Sequence, residues 1–125
     1  EAIHCFIYAE KKLPLGIKCL REGGFYVRPI HTVKFKFPGN AEINPSNGRT
    51  RFWAPNASSP DSKKKGIWVV GLAPISGGDT AYVTWGPGRY NHNTAVHEYI
   101  HLCGYGSGYH DKEVFQCARE ALLHE

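Results

Sequence analysis

Residues Asn91 to Phe115 read NHNTAVHEYIHLCGYGSGYHDKEVF, and this stretch decides how the C-terminal part of the chain folds. His97 and His101 stand four residues apart, with Glu98 beside the first. On an α-helix that spacing turns about 400°, so both imidazoles project from one face, one turn apart. Val96, Tyr99, Ile100 and Cys103 follow at i, i+3, i+4 and i+7 and predict a core-facing stripe, with Asn93 or Thr94 as the N-cap. Gly104 falls where a helix commonly ends in a left-handed residue. The run from Gly104 to Tyr109 alternates glycine with other residues, predicts a reversal of the chain, and delivers His110. Asp111 is then placed to cap a second helix with Val114, Ala118, Ala121 and Leu122 on its apolar face and Phe115 alongside.

Two imidazoles on one helix face are a pair of ligands for one zinc ion. A carboxylate beside the metal, rather than on it, can take a proton from an attacking water and pass it to a leaving amine. Glu98 therefore reads as the general base of a metal-assisted hydrolysis. His110, delivered by the glycine-rich turn, is the candidate for a third ligand. Three protein ligands leave one position open, as a catalytic zinc site requires. Tyr109 is the candidate donor to a developing oxyanion, ahead of Tyr105 and Tyr90, and His92 is a weaker neighbour of the metal. The bland alternative makes His97 and His101 ordinary half-buried histidines and Glu98 a solvated charge.

The segment from His97 to Phe115 resembles the zincin metallopeptidases, which share the pattern H-E-x-x-H. Gly104 matches the glycine of the metzincin branch, but Ser107 stands where that branch has its third histidine, and the chain has no Met to form a methionine turn. In the thermolysin-like branch the third ligand is a later glutamate, a place that Glu120 would fill, with Glu113 a weaker substitute, and across the branches the resemblance ranks His110 first and Glu120 second. The SprT-like minimal zincins use a histidine just before a helix that carries an aromatic residue, and His110 to Phe115 is similar to that arrangement. The resemblance covers about the last quarter of the chain. It implies a zinc-dependent endopeptidase acting on an extended peptide, with a twisted sheet above the zinc helix and an edge strand along the cleft. Residues 82–85 (Tyr82 to Trp85) are the expected cleft strand, though they read equally well as a core strand.

At 125 residues the chain has room for one domain, burying roughly two-thirds of the surface of its unfolded form. That is short for a peptidase, so it reads as a minimal zincin or as a catalytic piece of something longer. It starts at Glu1 rather than Met, which points to processing or to a boundary cut within a longer chain. No apolar run approaches the roughly 20 residues that cross a bilayer, and no signal peptide is recognisable. The net charge of +4 is modest, and Lys63-Lys64-Lys65 lacks the interleaved aromatics of a nucleic-acid site. The expected partner is a peptide or protein substrate, and the expected state a monomer.

Cys5, Cys19, Cys103 and Cys117 permit three pairings. The local scheme, Cys5 with Cys19 and Cys103 with Cys117, is the expectation, with four buried thiols as the alternative. Disulfides would imply an oxidising, extracellular setting, and reduced thiols a cytoplasmic one. Asn56-Ala57-Ser58 is a glycosylation sequon that matters only in a secreted eukaryotic protein.

The first ninety residues read as strands and loops. Ile3 to Tyr8 and Phe25 to Val27 are short apolar segments, and Val33, Phe35 and Phe37 alternate with Lys34 and Lys36 as in a half-buried strand. Gly39 to Pro60 reads as a long loop interrupted by a possible edge strand, Arg51-Phe52-Trp53. Gly66 to Leu72 reads as a buried central strand, and Ala81 to Trp85 as the next one after a turn at Ser76 to Asp79. The resulting fold class is α+β: a small twisted, mainly antiparallel sheet of four or five strands, then a zinc-binding helix and a C-terminal helix. Two other functions stay open, a non-catalytic zinc-stabilised binding module closed by Glu120 and a DNA-associated SprT-like peptidase.

Overall fold

The structure, a computed structural model, describes residues 2–57, 65–74, 77–84 and 91–123. It is an α+β arrangement of three helices and two three-stranded sheets. The first element is a helix, α1 (Ala2–Glu22), where the sequence reading placed a strand and a loop. Pro14 and Gly16 inside it weigh against helix formation locally, because proline removes a hydrogen bond and glycine adds backbone freedom. Tertiary packing overrides both. Leu13, Gly16, Ile17 and Leu20 recur at helical spacing and turn toward the core, where Leu13 and Leu20 are buried. A Cβ on Gly16 would lie 2.6 Å from Val96 Cγ1, so glycine is what lets α1 approach helix α2 (Asn91–Leu102) this closely.

The third helix, α3 (Gln116–Leu123), packs on both of the others. A short 3-10 turn, Glu113–Phe115, leads into it, so the C-terminal helix begins later than a cap at Asp111 implied. Likewise α2 starts at Asn91, which puts Asn93 and Thr94 inside its first turn rather than at the cap. Asn93 Nδ2 instead donates to the Ala118 carbonyl of α3. The core is built from α1, α2 and α3, with Val96, Tyr99, Ile100, Val114, Phe115 and Ala121 at its centre. The disulfide joins Cys19 of α1 to Cys117 of α3, Cα atoms 5.3 Å apart, and replaces the expected local pairing. Once residues 2–22 are helical, Cys19 sits on the face that meets α3. Cys103 is a buried thiol whose sulfur accepts a hydrogen bond from the Arg28 N–H at 3.3 Å. The side chain of Cys5 lies outside the described residues.

The strands form two sheets rather than one. In the first, β1 (Lys34–Lys36) runs parallel to β6 (Thr80–Val83), and β5 (Gly71–Leu72) pairs antiparallel on the other side of β6. In the second, β2 (Glu42–Ile43), β3 (Thr50–Ala54) and β4 (Ile67–Val69) are antiparallel, in that order. Arg51 to Trp53 is therefore a central strand, not an edge. The stretch from Ile67 to Leu72 serves both sheets in turn and changes sheet at Val70, whose carbonyl accepts from the Thr84 N–H at 2.9 Å and from its hydroxyl at 2.8 Å. β6 has a partner on each side, so the expected cleft strand over Tyr82 to Trp85 has no free edge at Tyr82, which pairs with Lys36 and with Leu72. Trp85, Lys63, Lys64 and Ser58 lie outside the described residues. β5 and β6 pack on α2 and so bring the first sheet over the histidine helix.

The disulfide closes a long loop, a sequence separation of 98 residues. Cys19→Ser is expected to lower the unfolding free energy by about 2–5 kcal/mol in a urea titration, and non-reducing peptide mapping of the parent to recover the Cys19–Cys117 link. Recovery of a Cys103–Cys117 link would contradict this pairing.

Candidate metal centre

The end of α2 shapes the site. Gly104 adopts φ +103°, its N–H donates to the His101 carbonyl at 2.9 Å, and the Tyr105 N–H reaches the Ile100 carbonyl at 3.4 Å. These two bonds make the left-handed helix ending that the sequence pointed to. A 3-10 turn over Ser107–Tyr109 follows, and His110 comes back against the helix it left. The ligating nitrogens of His97, His101 and His110 lie within 4.8 Å of one another. The sequence reading thus chose three residues that the fold does bring together, and together they can hold a metal ion.

The His101 ring is oriented by its far nitrogen. Nδ1 lies 2.6 Å from the Tyr105 carbonyl, which can only accept, so Nδ1 carries the proton and Nε2 keeps its lone pair. That lone pair faces His110 Nε2 at 3.0 Å. Two imidazole nitrogens at this distance need a proton or a cation between them. Tetrahedral coordination at about 2.0–2.1 Å per nitrogen separates ligand atoms by roughly 3.3 Å, close to the spacing of the His101 and His110 nitrogens. Burial, with the neighbouring His101 and His110, pushes His97 down to about 4, and burial also lowers His101. Both rings are therefore neutral at pH 7, the form that binds metal.

Phe115 closes the site from below. Its ring centroid lies 4.7, 5.1 and 5.2 Å from those of His97, His101 and His110, and only 2 % of the residue is exposed. The sequence placed Phe115 beside an apolar helix face, and its contact with all three rings depends on the return of the chain.

Glu98 is 6 % exposed, and with His97 it lines a cavity of about 460 Å³ whose opposite wall is Trp68 to Gly71. Burial pushes its carboxyl up to about 8, near the pH at which a group can both take and release a proton. A Cβ on Gly71 would come 2.7 Å from Glu98 Oε1 and 2.8 Å from Cγ, so glycine leaves the room the carboxylate occupies. Neither Gly71 nor Trp68 carries a sequence signal that ties it to residues 97–98, because β5 and α2 meet only in the fold.

The remaining candidates separate clearly. Glu120 accepts from Gln116 Nε2 at 3.4 Å on α3 and is not part of the histidine cluster, and Glu113 is exposed outside it. Tyr109 sits in the turn next to His110, 46 % exposed, with its ring 5.4 Å from that of Tyr105. Tyr105 is engaged elsewhere, its hydroxyl accepting from the Tyr26 N–H at 2.9 Å. Tyr90 and the side chain of His92 lie outside the described residues. Among the described residues no helix is long and apolar enough to cross a membrane.

Comparison with known proteins gives no family profile, curated protein or solved structure that matches this chain. The site stands on its own geometry. His110→Ala is expected to weaken binding of a divalent transition metal by about a hundredfold or more, while Glu120→Ala leaves it within about twofold, in competition titrations against a chromophoric chelator. The opposite ranking would move the third ligand to α3.

Proposed function

We propose that this protein is a zinc-dependent endopeptidase, a minimal zincin in which His97, His101 and His110 hold the metal and Glu98 is the general base. The observation that carries the proposal is the convergence of three imidazoles, one of which lines a cavity together with the buried carboxylate of Glu98. A zinc ion held there would supply Lewis acidity, polarising a carbonyl and making water acidic enough to react near neutral pH. Glu98 orients the attacking water, takes its proton and returns it to the departing amine. Its burial, which pushes the carboxyl up to about 8, helps it keep the proton between the two halves of that exchange. His97 and His101 stay neutral and fixed, one of them by its bond to the Tyr105 carbonyl. Tyr109, next to His110, is the proposed donor to the oxyanion.

An extended substrate backbone would lie along Trp68 to Gly71, the cavity wall that continues into the edge strand β5, and pair with it as an added strand. The Cys19–Cys117 disulfide supports an extracellular setting and speaks against a DNA-associated enzyme of a reducing compartment. A closed, non-catalytic site completed by Glu120 finds no support, because that carboxylate lies outside the cluster. We take the working form to be a monomer.

Glu98→Gln is expected to keep zinc at one equivalent by metal analysis and to lose about 10²- to 10⁴-fold in peptide cleavage, the range for removal of a general base. Full activity in that variant would rule out the role. Gly71→Ala tests the placement of the carboxylate: it should retain the fold and the metal while kcat/KM drops about tenfold or more, since small misplacements of a reacting group are costly.

A further inference from the structure

The cavity wall facing Glu98 begins with Trp68, which is 44 % exposed. Its position is nonetheless fixed. The register of β3 and β4 sets Trp68 opposite Trp53, with ring centroids 5.3 Å apart at 71°. The Arg51 guanidinium lies 3.9 Å from the centroid of the Trp68 ring, and Arg51 is in turn held by two N–H bonds to Glu42 Oε1 at 3.2 and 3.0 Å. Trp53 is backed by Gly66 at φ +97°, where a Cβ would come 2.3 Å from the indole. Side chains from three strands thus present one indole at the rim of the cavity that contains His97 and Glu98.

A cross-strand tryptophan pair stabilises a sheet wherever it lies. That role does not require one of the two residues to line a cavity beside a buried carboxylate. A pre-fixed, half-exposed aromatic loses little conformational freedom on contact, which is what a recognition surface needs.

We infer that Trp68 is a specificity-determining residue that receives an aromatic side chain of the substrate residue next to the scissile bond. The inference rests on the peptidase reading of the same site. Indole favours ring partners in offset or edge-to-face contact. A basic side chain would meet Arg51, an acidic one would meet Glu98, and a small one would leave the space of about 460 Å³ unfilled. An aromatic contact of this kind is worth about two- to tenfold in selectivity.

The test compares matched peptides carrying Phe or Ala on either side of the cleaved bond, using zinc-loaded protein. The parent should cleave the Phe peptide with the higher kcat/KM, and Trp68→Ala should bring the ratio to near one. Trp68→Leu, which keeps apolar bulk in the strand, decides the matter if the alanine variant does not fold. An unchanged ratio in the folded variant overturns the inference. Calorimetric binding of the same two peptides to Glu98→Gln, with and without the Trp68 substitution, reads selectivity in the absence of turnover. If the parent cleaves nothing, the peptidase reading fails by itself; tighter binding of the Phe peptide that depends on Trp68 then still supports the aromatic subsite, and equal binding of both peptides overturns it.

Discussion

Gly104 takes φ +103° where a side chain would be strained, and the polypeptide beyond it is positioned by that turn. Two backbone bonds close the end of α2 there, the Tyr105 carbonyl is aimed at His101 Nδ1, and the 3-10 turn that follows sets His110 against His101. One reversal therefore fixes both the tautomer of one imidazole and the arrival of another. The histidine cluster therefore follows from a helix ending rather than from the helix alone.

The surroundings of the site run against the ordinary preference of its residues. Glu98 and His101 are among the few buried polar side chains, and an apolar neighbourhood disfavours their charged forms. The same burial lowers His97 and His101 and pushes the Glu98 carboxyl up to about 8. Phe115 and the helical core hold the rings in place, and the Cys19–Cys117 bond ties α1 to α3. The first sheet contributes the other wall, with Gly71 giving the carboxylate room and Thr84 holding the point where the chain changes sheet.

What was legible in the sequence was whatever a local pattern could carry. The 97–101 spacing, the stripe through Tyr99 and Cys103, and the glycine that ends the helix are short-range signals, and they led to the histidine cluster. The α+β class followed from the alternation around Phe35 and the apolar runs near Val69 and Val83. The first helix was missed because Pro14 and Gly16 weigh against a helix locally, whereas the close approach of Gly16 to Val96 on α2 exists only in the fold. That omission also misdirected the cysteines, since a nearest-neighbour pairing is natural only for a chain without α1. Gly71, Trp68 and the contacts of Phe115 were invisible for the same reason: their meaning lies in elements that meet only after folding. The division of residues 67–72 between two sheets turns on a hydrogen-bond pair at Val70 that no hydrophobic pattern reports.

The central claim is that one metal ion is held by three imidazoles with a position left for water. Zinc K-edge X-ray absorption on the protein loaded with one equivalent of zinc tests it most directly. The account predicts three imidazole nitrogens and one further light atom at about 2.0–2.1 Å, with no sulfur in the shell. A sulfur scatterer near 2.3 Å, a shell closed by four imidazoles, or zinc that remains fully hydrated would contradict it.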